Sequence, residues 1–355
     1  MNQKKSEERT KMGKIYYPEW LNEGDLMAVT APSSGIVDEP DVLRFKNGKA
    51  KLEKAGIKVE FGDTVFNYDG HGRSCEAAKR AEEFNRMVKD KNIKFISSAC
   101  GGDYLCEILP LIDYEGIKAN PTWFQGFSDN TGLCFSITTK TDVATIYGDN
   151  FGSYGMEEWH RSVEENVRII KGETVKQQSF DMYEDERHEK ITGLEGYFGD
   201  KNVNYKGFCG YNEVSEINLQ GRMIGGCFDV IVDLSGTTYE DYKGFVNRHK
   251  DDGIILYLES FVANSETTVR WLWKLREMGW FEGINGIVFG RPTFESTESD
   301  TTYEEAVKTV LGPLGITYIM GADIGHKKPQ FTVINGAKAT ISMKDGKGSI
   351  LLSCD

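Results

Sequence analysis

The sequence has no long apolar run, because its longest purely apolar stretch, residues 254–258, has five residues. A membrane-spanning helix needs about 20, so we predict no transmembrane span and no membrane partner. Residues 1–14 are polar and mixed in charge, without the apolar centre of a secretory signal. We therefore predict a polar N-terminal tail over 1–14 and a cytoplasmic protein.

Paired cysteines and an excess of positive charge are also lacking. The seven cysteines are an odd number, scattered, with no CxxC pair, so neither a disulfide scaffold nor a zinc site is predicted. The 42 Lys and Arg residues against 55 Asp and Glu residues give a net charge of −13. This charge argues against a nucleic-acid partner and favours a small molecule. We expect no metal and no cofactor.

The first half of the chain alternates short apolar stretches with longer amphipathic ones. Strands are predicted at 26–30, 57–61, 93–97, 123–127 and 143–147, with helices at about 41–55, around 77–88 and from about 130. Successive β–α units of this kind form a parallel sheet. The α/β pattern predicts a Rossmann-like, doubly wound N-terminal domain over 15–171.

The second half has a different pattern. A helix from about 155 to 171 precedes a polar linker predicted at 172–189, and a C-terminal domain is predicted over 190–355. We predict short strands at 190–194, 207–210 and 217–221, two α/β units (253–259 with 265–279, 286–290 with 303–311) and a closing antiparallel set (331–335, 339–343, 349–353). The second domain should therefore be α/β with a mixed sheet.

Ligands of open parallel sheets bind beyond the carboxyl ends of the strands, and Ser128 stands at such a position. Residues 125–130 (QGFSDN) lead from a predicted strand directly into a helix start. A tight turn there can expose the hydroxyl while the amide of Asp129 points the same way. Alternatively Ser128, Asp129 or Asn130 is simply the helix N-cap.

A second candidate turn follows the strand at 93–97. Gly101 and Gly102 allow close approach of the backbone and can direct amides toward an oxyanion, although a glycine pair can also be only a turn. The neighbouring Cys100 is either a nucleophile in its own right or a buried apolar side chain.

Glu259 and His326 complete the candidate set. Glu259 ends the most apolar strand of the chain, and His326 leaves a strand-like segment through a glycine. The other histidines stand in polar surroundings. Ser128, His326 and Glu259 could form a nucleophile, a base and an orienting carboxylate, because a triad is defined by geometry and not by chain order.

At these residues the sequence resembles the serine LD-carboxypeptidase family, which contains murein tetrapeptide carboxypeptidases and microcin C immunity proteins. The resemblance covers nearly the whole chain. The motifs that carry it are residues 24–33, 80–81, 101–102, 109–113, 126–129, 225–226, 258–259, 325–326 and 329–330.

The resemblance implies a nucleophile on the N-terminal domain, here Ser128, with Glu259 and His326 on the C-terminal domain. It further implies an oxyanion hole made by the backbone amides of Asp129 and of Gly101 or Gly102. It also implies a cytoplasmic, commonly dimeric enzyme that needs no metal, so we expect a homodimer acting on a small peptidyl substrate.

Two departures from the family pattern bear on the substrate. Cys100 stands where murein-processing members carry arginine, and Cys227, after Gly226, stands where many members carry asparagine. We therefore place the chain nearer the microcin immunity branch, whose members cleave a peptidyl-nucleotide. Tyr197 and Phe198 could stack on a base, or could be core residues. The alternatives are a murein LD-carboxypeptidase and a binding protein that has lost catalysis.

Overall fold

The computed structural model describes residues 13–186, 188, 190–294 and 299–355. Most of the predicted tail and two residues of the predicted linker, 187 and 189, lie outside the described residues. The helices are α1 (Glu39–Lys54), α2 (Ala77–Lys89), α3 (Tyr114–Ala119), α4 (Thr131–Thr141), α5 (Arg161–Ile170), α6 (Phe228–Leu234), α7 (Tyr242–His249), α8 (Ser265–Glu277) and α9 (Tyr303–Leu311).

The strands belong to three sheets. In chain order they are β1 (Leu26–Thr30), β2 (Lys58–Phe61), β3 (Ile93–Ser98), β4 (Trp123–Gly126), β5 (Thr145–Tyr147), β6 (Lys176–Gln178), β7 (Met182–Tyr183), β8 (Lys201–Asn202), β9 (Lys206–Cys209), β10 (Asn212–Val214), β11 (Glu216–Cys227), β12 (Ile254–Glu259), β13 (Gly286–Gly290), β14 (Thr317–Ala322), β15 (Val333–Asn335), β16 (Lys338–Lys344) and β17 (Lys347–Ser353). The strand orders are β15-β5-β4-β3-β1-β2, then β10-β9-β14-β13-β12-β11-β16-β17-β6, and the pair β7-β8.

The first sheet has the expected parallel arrangement from β2 to β5. Strands β1, β3, β4 and β5 are almost entirely buried, as the centre of a parallel sheet covered on both faces requires, whereas the edge strand β2 exposes Lys58 and Glu60. The second sheet is parallel only from β11 to β14 and antiparallel on either side of them. The predicted fold class, a parallel α/β domain followed by a mixed-sheet α/β domain, is confirmed.

Helix α4 joins the two halves of the molecule. It packs against β4 and β5 of the first sheet and against β11, α6 and α7 of the second half. Ten of its eleven residues are buried, and its threonine hydroxyls are satisfied by nearby carbonyls, as at Thr138 and Thr141. Because α4 starts directly after the Ser128 turn, this packing holds the turn against the second sheet.

Two predicted strands differ from the structure. Residues 190–194 form no strand, and the carbonyl of Gly193 accepts from the side chain of Arg44 instead of from a neighbouring strand. The predicted strand at 331–335 is β15, which pairs antiparallel with β5 in the first sheet and not with the closing strands. Within 172–189, β6 pairs with β17 at the edge of the nine-stranded sheet.

Candidate active site

Ser128 lies on a sharp turn between β4 and α4. Its φ is +63°, a left-handed conformation that is uncommon for a residue with a side chain and that clusters at functional sites. The turn is tight enough that a Cβ on Gly126 would lie 2.7 Å from Cβ of Asn130. The geometry leaves the Ser128 side chain partly exposed at the carboxyl end of β4.

The three side chains of the predicted triad form a row in which His326 lies within hydrogen-bonding distance of both Ser128 and Glu259. Nε2 of His326 is 2.9 Å from Oγ of Ser128, and Nδ1 of His326 is 2.8 Å from Oε2 of Glu259. Glu259 is fully buried at the end of β12. This linear arrangement is the one in which an imidazole can take a proton from a hydroxyl while a carboxylate orients the ring.

Glu259 remains ionised although it is buried. Burial acts to raise its pKa, but the charge and hydrogen bond of His326 and a hydrogen bond from Tyr147 outweigh it and lower the pKa below its usual value. Gly325 makes room for this carboxylate, because a Cβ there would lie 2.5 Å from Oε2. The glycine before His326 is therefore required by packing.

Tyr147, which the sequence analysis did not single out, lies beside both Ser128 and Glu259. Its hydroxyl donates a 2.5 Å hydrogen bond to Oε1 of Glu259 and accepts one of 3.2 Å from the amide of Ser128. An apolar and aromatic strand such as β5 predicts a core residue at this position, so its sequence carries no signal of this contact.

Aromatic rings enclose His326 on two sides. Its ring centroid lies 5.0 Å from that of Phe127 and 4.5 Å from that of Phe261. Phe261 is 40% exposed and neighbours Phe294, which is 49% exposed, at 5.8 Å. The surface beside the imidazole is therefore apolar on the Phe261 side.

A buried ion pair supports the loop that carries His326. Lys328 binds Asp149 at 2.5 Å and lies over the ring of Phe127. Asp149 also accepts hydrogen bonds from Gln330 and Tyr197. Burial acts to raise the pKa of Asp149, but Lys328 and these donors lower it. Asp149 and Lys328 were not predicted from the sequence, and Gln330 stood out only as part of the motif at 329–330.

The residues predicted for the oxyanion hole differ in position. A Cβ on Gly101 would lie 3.1 Å from Oγ of Ser128, whereas one on Gly102 would lie 2.3 Å from Oγ of Ser33. The carboxylate of Asp129 turns away from Ser128 and accepts hydrogen bonds from Ser33 and from the amide of Leu105. Gly101 is therefore the glycine that borders Ser128.

Cys100 and Cys227 lie next to the site as thiols of raised pKa. Burial raises the pKa of both, in Cys227 well above its usual value, which opposes a thiolate nucleophile. The carbonyl of Cys100 accepts a hydrogen bond from Asn130, and the amide of Cys227 donates to Thr131. Gly226 also packs on Thr131, where a Cβ would lie 2.6 Å from Cγ2. These residues fix the start of α4.

Tyr197 and Phe198 point in different directions. The Tyr197 hydroxyl bonds Asp149 and lies 3.2 Å from the hydroxyl of Ser153. Phe198 is exposed, and its ring lies 5.4 Å from that of His188. Tyr197, but not Phe198, also lines a cleft of about 430 Å³ that reaches Pro329.

The described part of the chain holds neither a cluster of metal ligands nor a membrane-spanning helix. Over residues 13–186, 188, 190–294 and 299–355, no group of three or more His, Cys, Asp or Glu side chains is placed to hold a metal ion. Within the same residues, no helix has the length and apolar character needed to cross a membrane.

Comparison with known proteins decides the family. Residues 27–148 match the LD-carboxypeptidase N-terminal domain, and residues 220–341 match the LD-carboxypeptidase C-terminal domain. The chain belongs to the LD-carboxypeptidase family. This is a family of serine peptidases, so the predicted class of enzyme is confirmed.

Relatives from both branches of the LD-carboxypeptidase family align over most of the chain. The microcin C7 self-immunity protein MccF of Escherichia coli is 27% identical, over 86% of this chain and 88% of its own. A probable murein peptide carboxypeptidase of Bacillus subtilis is 24% identical over 92% of each chain. The solved structure of an MccF-like protein from Bacillus anthracis has a TM-score of 0.78 at 26% identity, covering 95% and 99% of the two chains.

Proposed function

We propose that this chain hydrolyses an amide bond of a small peptidyl substrate, with Ser128 as nucleophile, His326 as general base and Glu259 as the group that orients the imidazole. The observation that carries the proposal is the continuous hydrogen-bonded path from Oγ of Ser128 through His326 to Glu259, at 2.9 and 2.8 Å. In this proposal residues 15–171 supply the nucleophile, and residues 190–355 supply the base and the carboxylate.

The proposed reaction has two steps, acylation of Ser128 and hydrolysis of the acyl-enzyme. Oγ of Ser128 attacks the carbonyl carbon while its proton passes to Nε2 of His326, and the oxyanion forms near the amides of Asp129 and Gly101. The C–N bond then breaks, and His326 returns the proton to the leaving amine. Water next attacks the acyl carbon while His326 takes its proton. The C–O bond to Ser128 then breaks, His326 returns the proton to Oγ of Ser128, and the acid is released. Glu259 stabilises the imidazolium in both steps.

The substrate class that we propose is a peptidyl-nucleotide. MccF is similar over most of this chain, and a solved structure of MccF in complex with aspartyl sulfamoyl adenosine has a TM-score of 0.76 at 25% identity, covering 96% of this chain and 99% of MccF. Cys100 also leaves no cation next to Gly101 for a terminal carboxylate. The homodimer and the cytoplasmic location expected from the resemblance remain predictions.

The second candidate is release of the terminal D-residue from a murein peptide. It is favoured by the similarity to the Bacillus subtilis protein named as a probable murein peptide carboxypeptidase, which extends over 92% of each chain. Both candidates use the same three side chains, so only the substrate separates them.

A paired substrate screen tests the proposal. The wild type, Ser128→Ala and the matched control Ser136→Ala, a buried serine of α4, are assayed on peptidyl-nucleotides and LD-peptides. We expect the wild type and Ser136→Ala to cleave a peptidyl-nucleotide and Ser128→Ala to be inactive.

Three results contradict parts of the proposal. Full activity of Ser128→Ala overturns the assignment of the nucleophile. Cleavage of LD-peptides alone replaces the substrate by the murein alternative. Tight binding without turnover of any substrate indicates a binding protein that has lost catalysis.

A further inference from the structure

Tyr147 lies between the two halves of the candidate triad. It is the last residue of β5 and is fully buried, with its ring 6.3 Å from that of Phe127 and 5.6 Å from that of Tyr257. Its hydroxyl reaches Glu259, which comes from the second sheet, and the amide of Ser128, which follows β4 of the first. One side chain therefore contacts both the carboxylate and the nucleophile turn.

We propose that Tyr147 is a positioning residue that fixes the carboxylate of Glu259 and the backbone of Ser128 relative to each other. The proposal rests on the function proposed above, because it assigns Tyr147 a role in that same reaction. Tyr147 touches neither substrate nor the reacting atoms in this role and acts only through Glu259 and Ser128.

The two oxygens of Glu259 have separate partners. Oε2 faces Nδ1 of His326 at 2.8 Å, and Oε1 accepts from Tyr147 at 2.5 Å. A carboxylate held at both oxygens cannot rotate, so Oε2 stays aimed at the imidazole. Short hydrogen bonds to an ionised group are also the strong ones.

The same hydroxyl orients the turn of Ser128. Tyrosine has one hydroxyl proton, and when that proton is donated to Glu259, a lone pair faces the amide of Ser128 at 3.2 Å. The bond helps to hold Ser128 at its φ of +63°. It also occupies the amide of Ser128, which leaves the amides of Asp129 and Gly101 for the oxyanion.

The hydroxyl of Tyr147 keeps its proton at every pH at which the enzyme would work. Burial and the charge of Glu259 raise the pKa of Tyr147 well above its usual value. The titratable groups that face Tyr147 and Glu259 are Cys227 on β11, Tyr257 on β12, and His326 and Lys328 on the loop after β14. The acid limb of a pH profile is the fall in rate at low pH. Because the pKa of Cys227 is also raised, Cys227 does not contribute to this limb, which therefore reports Glu259 and the groups bonded to it.

The test compares Tyr147→Phe with Tyr257→Phe. Tyr257 is the matched control because it is equally buried, lies against the Tyr147 ring, and donates its hydroxyl to Asn335 at 2.9 Å. The readout is the rate at which a fluorophosphonate labels Ser128 as a function of pH, with Ser128→Ala as blank and thermal unfolding measured in parallel. This probe requires an activated serine and no knowledge of the substrate.

We expect Tyr147→Phe to label roughly tenfold more slowly than the wild type, the effect of losing one hydrogen bond to a charged group. Its acid limb should move up by about one pH unit, because the ionised carboxylate loses a donor. Tyr257→Phe should label as the wild type does. Replacement of Tyr147 by 3-fluorotyrosine, a stronger donor of nearly the same shape, should move the acid limb to lower pH, and this second variant tests the role if Tyr147→Phe does not fold.

The outcomes separate the two claims. A wild type that is not labelled at Ser128 overturns the proposed function itself. Normal labelling with an unshifted acid limb in both variants at position 147 overturns the role of Tyr147 alone. If Tyr147→Phe and Tyr257→Phe lose labelling rate equally and neither shifts the acid limb, the two rings only pack against each other. That result also overturns the role of Tyr147.

Discussion

Replacing Gly101 by alanine adds one methyl group beside Ser128, the proposed nucleophile. The new Cβ would lie 3.0 Å from Cβ and 3.1 Å from Oγ of Ser128, and 3.8 Å from the amide nitrogen of Asp129. The first two distances are shorter than ordinary van der Waals contact. Because the methyl points at the hydroxyl and not at the core, the crowding falls on the reacting atoms.

The expected effects on activity and stability differ in size. A displacement of a nucleophile by a fraction of an ångström to 1 Å costs up to about 100-fold in rate, or about 2.7 kcal/mol of transition-state stabilisation. Alanine in place of glycine lowers the entropy of the unfolded chain and stabilises by about 0.4–1 kcal/mol, which offsets part of the crowding. We therefore expect Gly101→Ala to lose roughly 100-fold in kcat/KM while its free energy of unfolding changes by less than about 1 kcal/mol.

The assay measures both quantities on one preparation. Initial rates on the substrate found in the screen, or fluorophosphonate labelling of Ser128, give the activity, and urea denaturation gives the stability. The matched control is Gly196→Ala, since among the residues that the structure describes a Cβ on Gly196 would meet only the carbonyl oxygen of Glu158, at 4.0 Å. Undiminished activity of Gly101→Ala, or an equal loss in Gly196→Ala, would refute the reasoning.

Three further predictions concern the ion pairs and the apolar wall of the site. Lys328→Met should destabilise the fold by about 3 kcal/mol in urea denaturation, because Asp149 would be left buried without its cation. The control Lys327→Met removes a pair with Asp185, a more exposed carboxylate, and should cost only about 1 kcal/mol. Equal losses of stability in the two variants would contradict this. Hydrogen bonds from Arg73 and Arg80 lower the pKa of Glu107 from its usual 4.5 to about 2, so its ionised form stabilises the fold above pH 4.5 and this contribution is lost as the pH falls through 2. Glu107→Gln should therefore be less stable than the wild type by about 1 kcal/mol at pH 7, and this difference should shrink as the pH falls below 4.5 and disappear below pH 2. A constant difference across an acid titration would be inconsistent with this. Phe261→Ala should lower kcat/KM about tenfold for substrates with a bulky apolar group next to the scissile bond and much less for a small one, and an equal loss for both would argue against an apolar subsite.

The ends of the strands could be predicted from the sequence, but the contacts between the two halves of the molecule could not. Ser128, Glu259 and His326 could be proposed because each stands at or just after the end of a predicted strand or strand-like segment. A parallel sheet presents its ligand-binding groups at these strand ends. Their distances depend on the packing of α4 between the sheets, which no local pattern encodes.

The supporting residues were missed for related reasons. Tyr147 stands in a short apolar strand, where an aromatic side chain indicates only a core position. Asp149 and Lys328 are 179 residues apart in the chain, so each taken alone has the pattern of an ordinary charged residue. The edge strand β15 was predicted as a strand, but strand pairing is set by which sheet edge is open, and only the assembled fold shows that β5 offers one.

The pairing of β15 with β5 makes the first sheet depend on residues 333–335, which come after β14 in the chain. Until residues 333–335 have been synthesised and have paired, β5 is an open sheet edge, and open edges promote pairing with other chains. His326 lies only a few residues before β15, so the imidazole arrives together with the strand that closes the sheet. A nascent chain that ends before residue 326 therefore carries Ser128 without the imidazole that lies 2.9 Å from its hydroxyl in the folded chain.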